Sequence, residues 1–338
     1  MTSLRRATET RRATVVICAY TLDRLDETLE SVRSALAQEP PADRVVVVVD
    51  HNDELLVLLR DRLAQGAGLP ATTAVEVVAS SGTRGLSGAR NTGIAHATGA
   101  VTAFLDDDAT AEPGWLAGLL AAFEDPLVLC AGGEAIPAWD GGPQPGWFPD
   151  AYRWVVGCSY EGMTTSGPVR NVLGCNMAFR TDLLEELGGF DPAVGRLGTL
   201  PLGCEETELC IRARRLHPDG TVVAVRGATV IHHVAALRRS PVYFLRRCFY
   251  EGISKAVLLR LSDGEAVASE RAYTLRTLPR AIGAAARDAV LLRETAAALG
   301  RLAAILGGLA AAMVGFGVGL VLDRRRRTTD VLPAEVSR

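Results

Sequence analysis

The chain has 338 residues, 48% of them apolar and 22% charged, with a net charge of −3. That is enough core for one large domain, or a domain with an appendage, and too apolar for a disordered chain. No overall basic field points to nucleic acid. The seven cysteines lack the spacing of a zinc or redox motif and read as buried, reduced thiols.

Residues 1–12 are a polar, arginine-rich tail without the apolar run of a secretion signal. Strand and helix patterns then alternate. Strands are predicted at 13–19, 45–49, 74–79 and 101–105, and helices at 25–37, 55–63 and 88–97. The run Val45-Val46-Val47-Val48-Val49 is what a parallel strand buried on both faces looks like. Alternation of this kind predicts an α/β fold with right-handed crossovers and a mostly parallel sheet flanked by helices. Ligands bind beyond the carboxyl ends of such strands. Asp50 and Asp106-Asp107-Asp108 both lie there, so they are expected to face one crevice.

The order is less regular further on. A helix is predicted at 113–123, and residues 137–150, rich in Pro, Gly and Trp, form a long loop suited to binding or closure. Helices follow at 181–187 and 205–216, with strands at 222–225 and 229–231. From Pro241 the chain reads as helical to about residue 322, with a break near 261–265. The expected division is a nucleotide-binding domain over 13–240, a helical extension over 241–300, an apolar helix over 301–323 and a basic, polar tail over 324–338.

Four constellations could carry chemistry. Three aspartates on a tight turn suit a hard divalent cation, Mg²⁺ or Mn²⁺, which takes oxygen ligands and shares them with phosphates. An isolated acidic turn is ordinarily just solvated; its place at a strand end favours function. Glu205, Glu206 and Glu208 open a helix, where the dipole alone welcomes acids; one of them could act as general base. Gly85 to Arg90 lead a Gly-rich turn into a helix that offers N–H groups to an anion, with Arg90 able to pair with a diphosphate. In His232-His233 only one ring can point inward from a strand, so at most one serves as a metal ligand.

These residues, in order over roughly 13–235, resemble the family 2 glycosyltransferases of GT-A fold. Val15-Val16-Ile17-Cys18-Ala19-Tyr20 is similar to the family's first strand, Val47-Val48-Val49-Asp50 to its second, and Ala89-Arg90-Asn91-Thr92-Gly93 to its ARN-x-G element. Phe104-Leu105-Asp106-Asp107-Asp108 resembles the D-x-D motif, Gly188-Gly189-Phe190-Asp191 the GGFD element, and Glu205-Glu206-Thr207-Glu208-Leu209 the EDxDL element. Two departures stand out: His51-Asn52-Asp53 replaces Asp-Gly-Ser, and Glu206 replaces the usual catalytic Asp, with nearly the same intrinsic acidity.

The resemblance implies an inverting, metal-assisted glycosyltransferase. Glu206 would be the base, and Asp50, Arg90, Asp106 and Asp107 would bind a UDP-, GDP- or dTDP-sugar. Asp106, Asp108 and His232 would hold the cation. Trp139, Asn176 and Glu205 would lie on the side of a glycan or lipid-linked acceptor. Alternatives are a sugar nucleotidyltransferase, which would want a phosphate loop that 18–24 do not supply, and a catalytically degenerate nucleotide-sugar-binding protein.

Residues 302–322 are uncharged and long enough to cross a bilayer, with Gly315 and Gly319 forming a G-x-x-x-G pair. A single span would export Arg324 to Arg327 against the positive-inside rule. The expectation is therefore a helix associated with membrane lipid at the cytoplasmic face.

Overall fold

A computed structural model describes residues 12–65, 73–192, 203–261 and 273–330. The tail 1–11, the predicted break beyond Leu261 and the last residues of the basic tail, 331–338, lie outside them. The elements are β1 (Ala13–Ala19), α1 (Leu25–Leu36), β2 (Arg44–Val49), α2 (Asp53–Ala64), β3 (Ala74–Ala79), α3 (Leu86–Ala95), β4 (Val101–Asp106), β5 (Ala109–Ala111) and α4 (Trp115–Ala122). They continue with β6 (Val128–Trp139), β7 (Gly167–Pro168), β8 (Asn176–Arg180), α5 (Thr181–Glu186), α6 (Glu205–Leu216), β9 (Thr221–Val234), α7 (Pro241–Leu261), α8 (Leu278–Val290) and α9 (Thr295–Asp330).

One nine-stranded sheet runs β3-β2-β1-β4-β8-β6-β9-β5, with β7 added on β9. Its first four strands are parallel and in register, from Thr14 beside Arg44 to Cys18 beside Asp106. Beyond β4 the sheet is mixed, since β8 runs antiparallel to both β4 and β6. The valine run behaves as its composition demands. Val45, Val47 and Val49 enter one core with Val15 and Ile17, while Val46 and Val48 enter the opposite core with Val16 and Phe104. Gly93 lets α3 lie against β1, because a Cβ there would come within 2.3 Å of Val16 Cγ1.

Two predicted strands are one: β9 is continuous, with residues 225–228 slipping out of register against β6 and Gly227 at φ 86°. The predicted loop 137–150 is shorter at its start, because β6 runs through Trp139. Its aromatic residues are not a free lid. Trp139, Trp147 and Phe148 pack with Phe244 of α7 and, through Ala304 and Ile305, with α9. The break in the carboxyl-terminal helices that can be described is the turn before α9, where Leu292 and Glu294 adopt positive φ.

The glycine pair of α9 has a partner in its own chain. A Cβ on Gly315 would meet the Phe249 carbonyl at 1.9 Å, and one on Gly252 of α7 would meet the Ala312 carbonyl at 2.0 Å. The two backbones therefore touch. On the remainder of α9, Leu299, Leu306, Met313, Val314, Leu320 and Val321 are exposed, and 28% of the apolar window within Thr295–Val321 is buried.

Candidate metal and donor site

The acidic turn sits where the parallel half of the sheet ends. Asp106 closes β4, and the chain reverses immediately into β5, which pairs with β9 so that Ala109 faces His232. The His233 N–H also donates to the Asp108 carbonyl at 2.7 Å. This pairing carries His232 to Asp108, and ligand atoms of Asp106, Asp108 and His232 lie within 4.8 Å of one another. Strand alternation sorts the two histidines as expected: His232 is buried, while His233 turns outward to Asp140. Two carboxylates and one imidazole are donors that suit a divalent cation such as Mn²⁺.

Asp108 is surrounded by positive charge. Its Oδ1 faces His232 Nε2 at 3.3 Å, and its Oδ2 faces Arg24 at 3.0 Å and Arg238 at 3.4 Å. Burial alone would raise the Asp108 pKa, but His232, Arg24 and Arg238 hold it well below the usual carboxylate range. Burial would lower the His232 pKa, yet Asp108 pushes it up to about 10. Cys158 Sγ stands 3.7 Å from its other nitrogen, Nδ1. Asp107 turns to Arg24, which donates to Oδ1 at 2.8 Å, while Oδ2 is buried without a partner. Burial, opposed by Arg24 and aided by Asp108, raises Asp107 to about 7.

Arg90 is buried, not an exposed arm. Its guanidinium donates to the Gly174 carbonyl at 2.9 Å and reaches Asp106 Oδ1 at 3.3 Å and Glu205 Oε1 at 3.4 Å. It lies over the Phe190 ring, which Asn91 fixes by two hydrogen bonds of 2.8 Å to the Phe190 backbone. The ARN and GGFD elements thus meet, and they hold one arginine between the acidic turn and the start of α6.

Gly174 leaves a small cradle there. A Cβ on it would lie 3.3 Å from Arg90 Nη2 and 3.7 Å from Glu206 Oε2. Burial and the neighbouring Glu205 raise the Glu206 pKa to about 7. Glu205 Oε2 is buried and unpartnered. Before them stands Cys204 at φ 83°, a left-handed conformation that costs a side-chain-bearing residue about 1 kcal/mol or more. Glu208 turns away from the cradle and binds Arg212, which donates to the carbonyls of Leu187 and Gly189 at 2.7 Å.

Asp50 lies at the tip of β2 and accepts the Gly85 N–H at 2.9 Å, fixing the turn into α3, with His51 Nδ1 2.7 Å from its other oxygen. Trp139 packs at the end of β6, its indole N–H buried without a partner. Asn176 departs from the acceptor-side expectation. It has no exposed surface, accepts the Trp115 indole N–H at 2.8 Å and donates to the carbonyls of Glu134 and Ala228. Its amide ties β8 to its neighbours and is sealed from the crevice, out of reach of an acceptor. Sequence reasoning missed Arg24 and Arg238. Their one signal is position, just past the carboxyl ends of β1 and β9.

The family model for "Glycosyl transferase family 2" matches residues 14–188. The chain is 32% identical over 249 residues to a glucosyl-dolichyl phosphate glucuronosyltransferase of Haloferax volcanii, covering 73% of this chain and 77% of that protein. It is 27% identical over 230 residues to a pre-mycofactocin glycosyltransferase of Mycobacterium tuberculosis, 68% of this chain but 44% of that one. Among solved structures, a mannosyltransferase from Pyrobaculum calidifontis, in complex with GDP-Man and Mn²⁺, superposes with a TM-score of 0.57. That match has 20% identity, over 93% of this chain and 88% of the other, and it shows a shared fold.

Proposed function

The chain belongs to glycosyl transferase family 2 and is a glycosyl-transferring enzyme; on that premise we propose that it moves a sugar from a nucleotide-sugar to a hydroxyl of a lipid-linked saccharide, with inversion. The observation that carries this reading is the reach of Arg90 from Asp106 to Glu205 beside Gly174, with Glu206 across the same glycine. It joins a cation and diphosphate site to a carboxylate suited to base catalysis.

Asp106, Asp108 and His232 would hold a divalent cation, which when bound offsets charge growing on the leaving nucleoside diphosphate. Asp50 would orient the nucleobase, and Asp106 the ribose or the cation. Arg90 keeps the two acidic groups at fixed separation, and Asp107, paired with Arg24, supports the turn from behind. Glu206 would take the proton of the attacking hydroxyl as the anomeric bond forms. A base whose pKa lies near neutrality is matched to a hydroxyl acceptor. A phosphate acceptor is already an anion and needs no such group. The Haloferax relative, named for a glucosyl-dolichyl phosphate acceptor, supports the same choice. Trp139, half-buried at the end of β6, would meet the acceptor with the exposed part of its ring. Glu206→Gln should abolish transfer and leave donor affinity near wild type; retained turnover would remove the base assignment.

The C-terminal helices would bring this site to the cytoplasmic face of the membrane, where nucleotide-sugars are found. The exposed apolar side of α9 continues into Val290, Leu291 and Leu292, and α8 adds the exposed arginines Arg280 and Arg287. Because α7, which packs along α9, carries Arg247, Glu251 and Lys255, the pair suits the interface better than a span. Carbonate and high-salt washing of membranes should release the protein; retention would favour a span.

A further inference from the structure

A cation ligand needs free lone pairs, yet Asp108 Oδ2 is shared by two guanidinium groups. The two arginines differ in what else they hold. Arg24 also binds Asp107 Oδ1 at 2.8 Å and stacks on Tyr20, so it keeps a carboxylate whatever happens at Asp108. Arg238 has Asp108 as its one side-chain partner among the described residues, at 3.4 Å. Its neighbour Arg239 donates to the carbonyls of Asp140 and Gly142, which pins the short turn Ala236–Arg239 while the Arg238 side chain hangs on a single long ion pair.

A divalent cation entering at Asp108 would meet that guanidinium as a like charge a few ångströms away, in a site where water screens little. The weakest-held group yields first, and that is Arg238. Its planar fork suits the paired oxygens of a diphosphate, which arrives with the same cation. We propose that Arg238 is a donor-diphosphate ligand, parked on Asp108 in the cation-free enzyme and passed to the diphosphate when cation and nucleotide bind. This rests on the metal reading given above.

Two effects of opposite sign should follow, which a merely structural residue would not produce. In the full-length protein, Arg238→Gln removes a competitor for Asp108, so Mn²⁺ alone should bind about 2- to 5-fold more tightly, the scale of a weak ion pair. With Mn²⁺ saturating, the same variant should bind UDP, GDP or dTDP, whichever the wild type prefers, roughly 10-fold more weakly, the scale of a charge-assisted hydrogen bond. Arg238→Lys, which keeps charge but not the fork, should fall between. Calorimetric titration of Mn²⁺ and of nucleotide reads both. If both affinities are unchanged, or both weaken together, the assignment fails while the metal site stands. If the wild type binds no Mn²⁺ at all, the metal reading falls and takes this inference with it.

Discussion

Replacing Glu206 with glutamine should stabilise the protein and silence it at once. Burial and Glu205 lift the Glu206 carboxyl from 4.5 to about 7. At about 1.4 kcal/mol per pH unit this favours the neutral form by roughly 3.5 kcal/mol, an upper bound because the residue keeps some contact with solvent. The folded pKa is the raised one, so the stabilising neutral form is fully present below about 4.5. Its contribution is lost as pH rises to about 7, and above that the charged carboxylate burdens the fold. Glu206→Gln should therefore unfold at higher urea than wild type at pH 8, by about 1–3 kcal/mol, and match it near pH 4. Activity should move the other way. A base with this pKa is about half ionised at pH 7, so wild-type kcat/KM should fall about tenfold per unit below it, and the variant should lose on the order of 10²- to 10⁴-fold in kcat. Urea melts at both pH values, with a pH profile of transfer, check both halves. A variant no more stable at pH 8 than at pH 4, relative to wild type, would refute the burial of charge. A wild-type profile flat from pH 6 to 8 would refute the base.

Glu205→Gln removes the second cause of that raised pKa, so the acid limb of the wild-type profile should move below pH 7, read from kcat/KM against pH. Gly174→Ala places a methyl 3.3 Å from Arg90 and 3.7 Å from Glu206; kcat should drop about 10-fold with nucleotide affinity nearly kept, and equal losses in both would point to general damage. Trp115→Phe strands the Asn176 carbonyl oxygen in the core and should cost about 1–3 kcal/mol in urea melts, without changing donor KM. Gly315→Leu drives a side chain into the Phe249 backbone, so α9 should part from α7 and become sensitive to limited proteolysis; an unchanged digestion pattern would contradict the packing.

Sequence periodicity exposed the parallel half of the sheet because β-branched runs and helical spacing are local signals, and Asp106 and Asp108 followed from their place at a strand end. His232 was reachable by alternation along β9. What stayed hidden depends on contacts between residues distant in the chain. Arg24 meets Asp107 across 83 residues and Arg238 meets Asp108 across 130; no spacing rule links them. Asn176 is expected on the acceptor side from the resemblance alone, whereas its hydrogen-bond partners come from β6, β9 and α4. Likewise the sequence offers Arg90 to a diphosphate, and its partners Phe190, Gly174 and Glu205 lie too far along the chain for any spacing rule to link them.

The most direct test is a thermal-shift screen of nucleotide-sugars against wild type and Asp108→Asn, with and without Mn²⁺. One nucleotide class should raise the wild-type Tm only when Mn²⁺ is present, and the variant should show no such synergy. Equal stabilisation of both proteins, or stabilisation indifferent to Mn²⁺, would contradict a cation-dependent donor site at Asp106, Asp108 and His232.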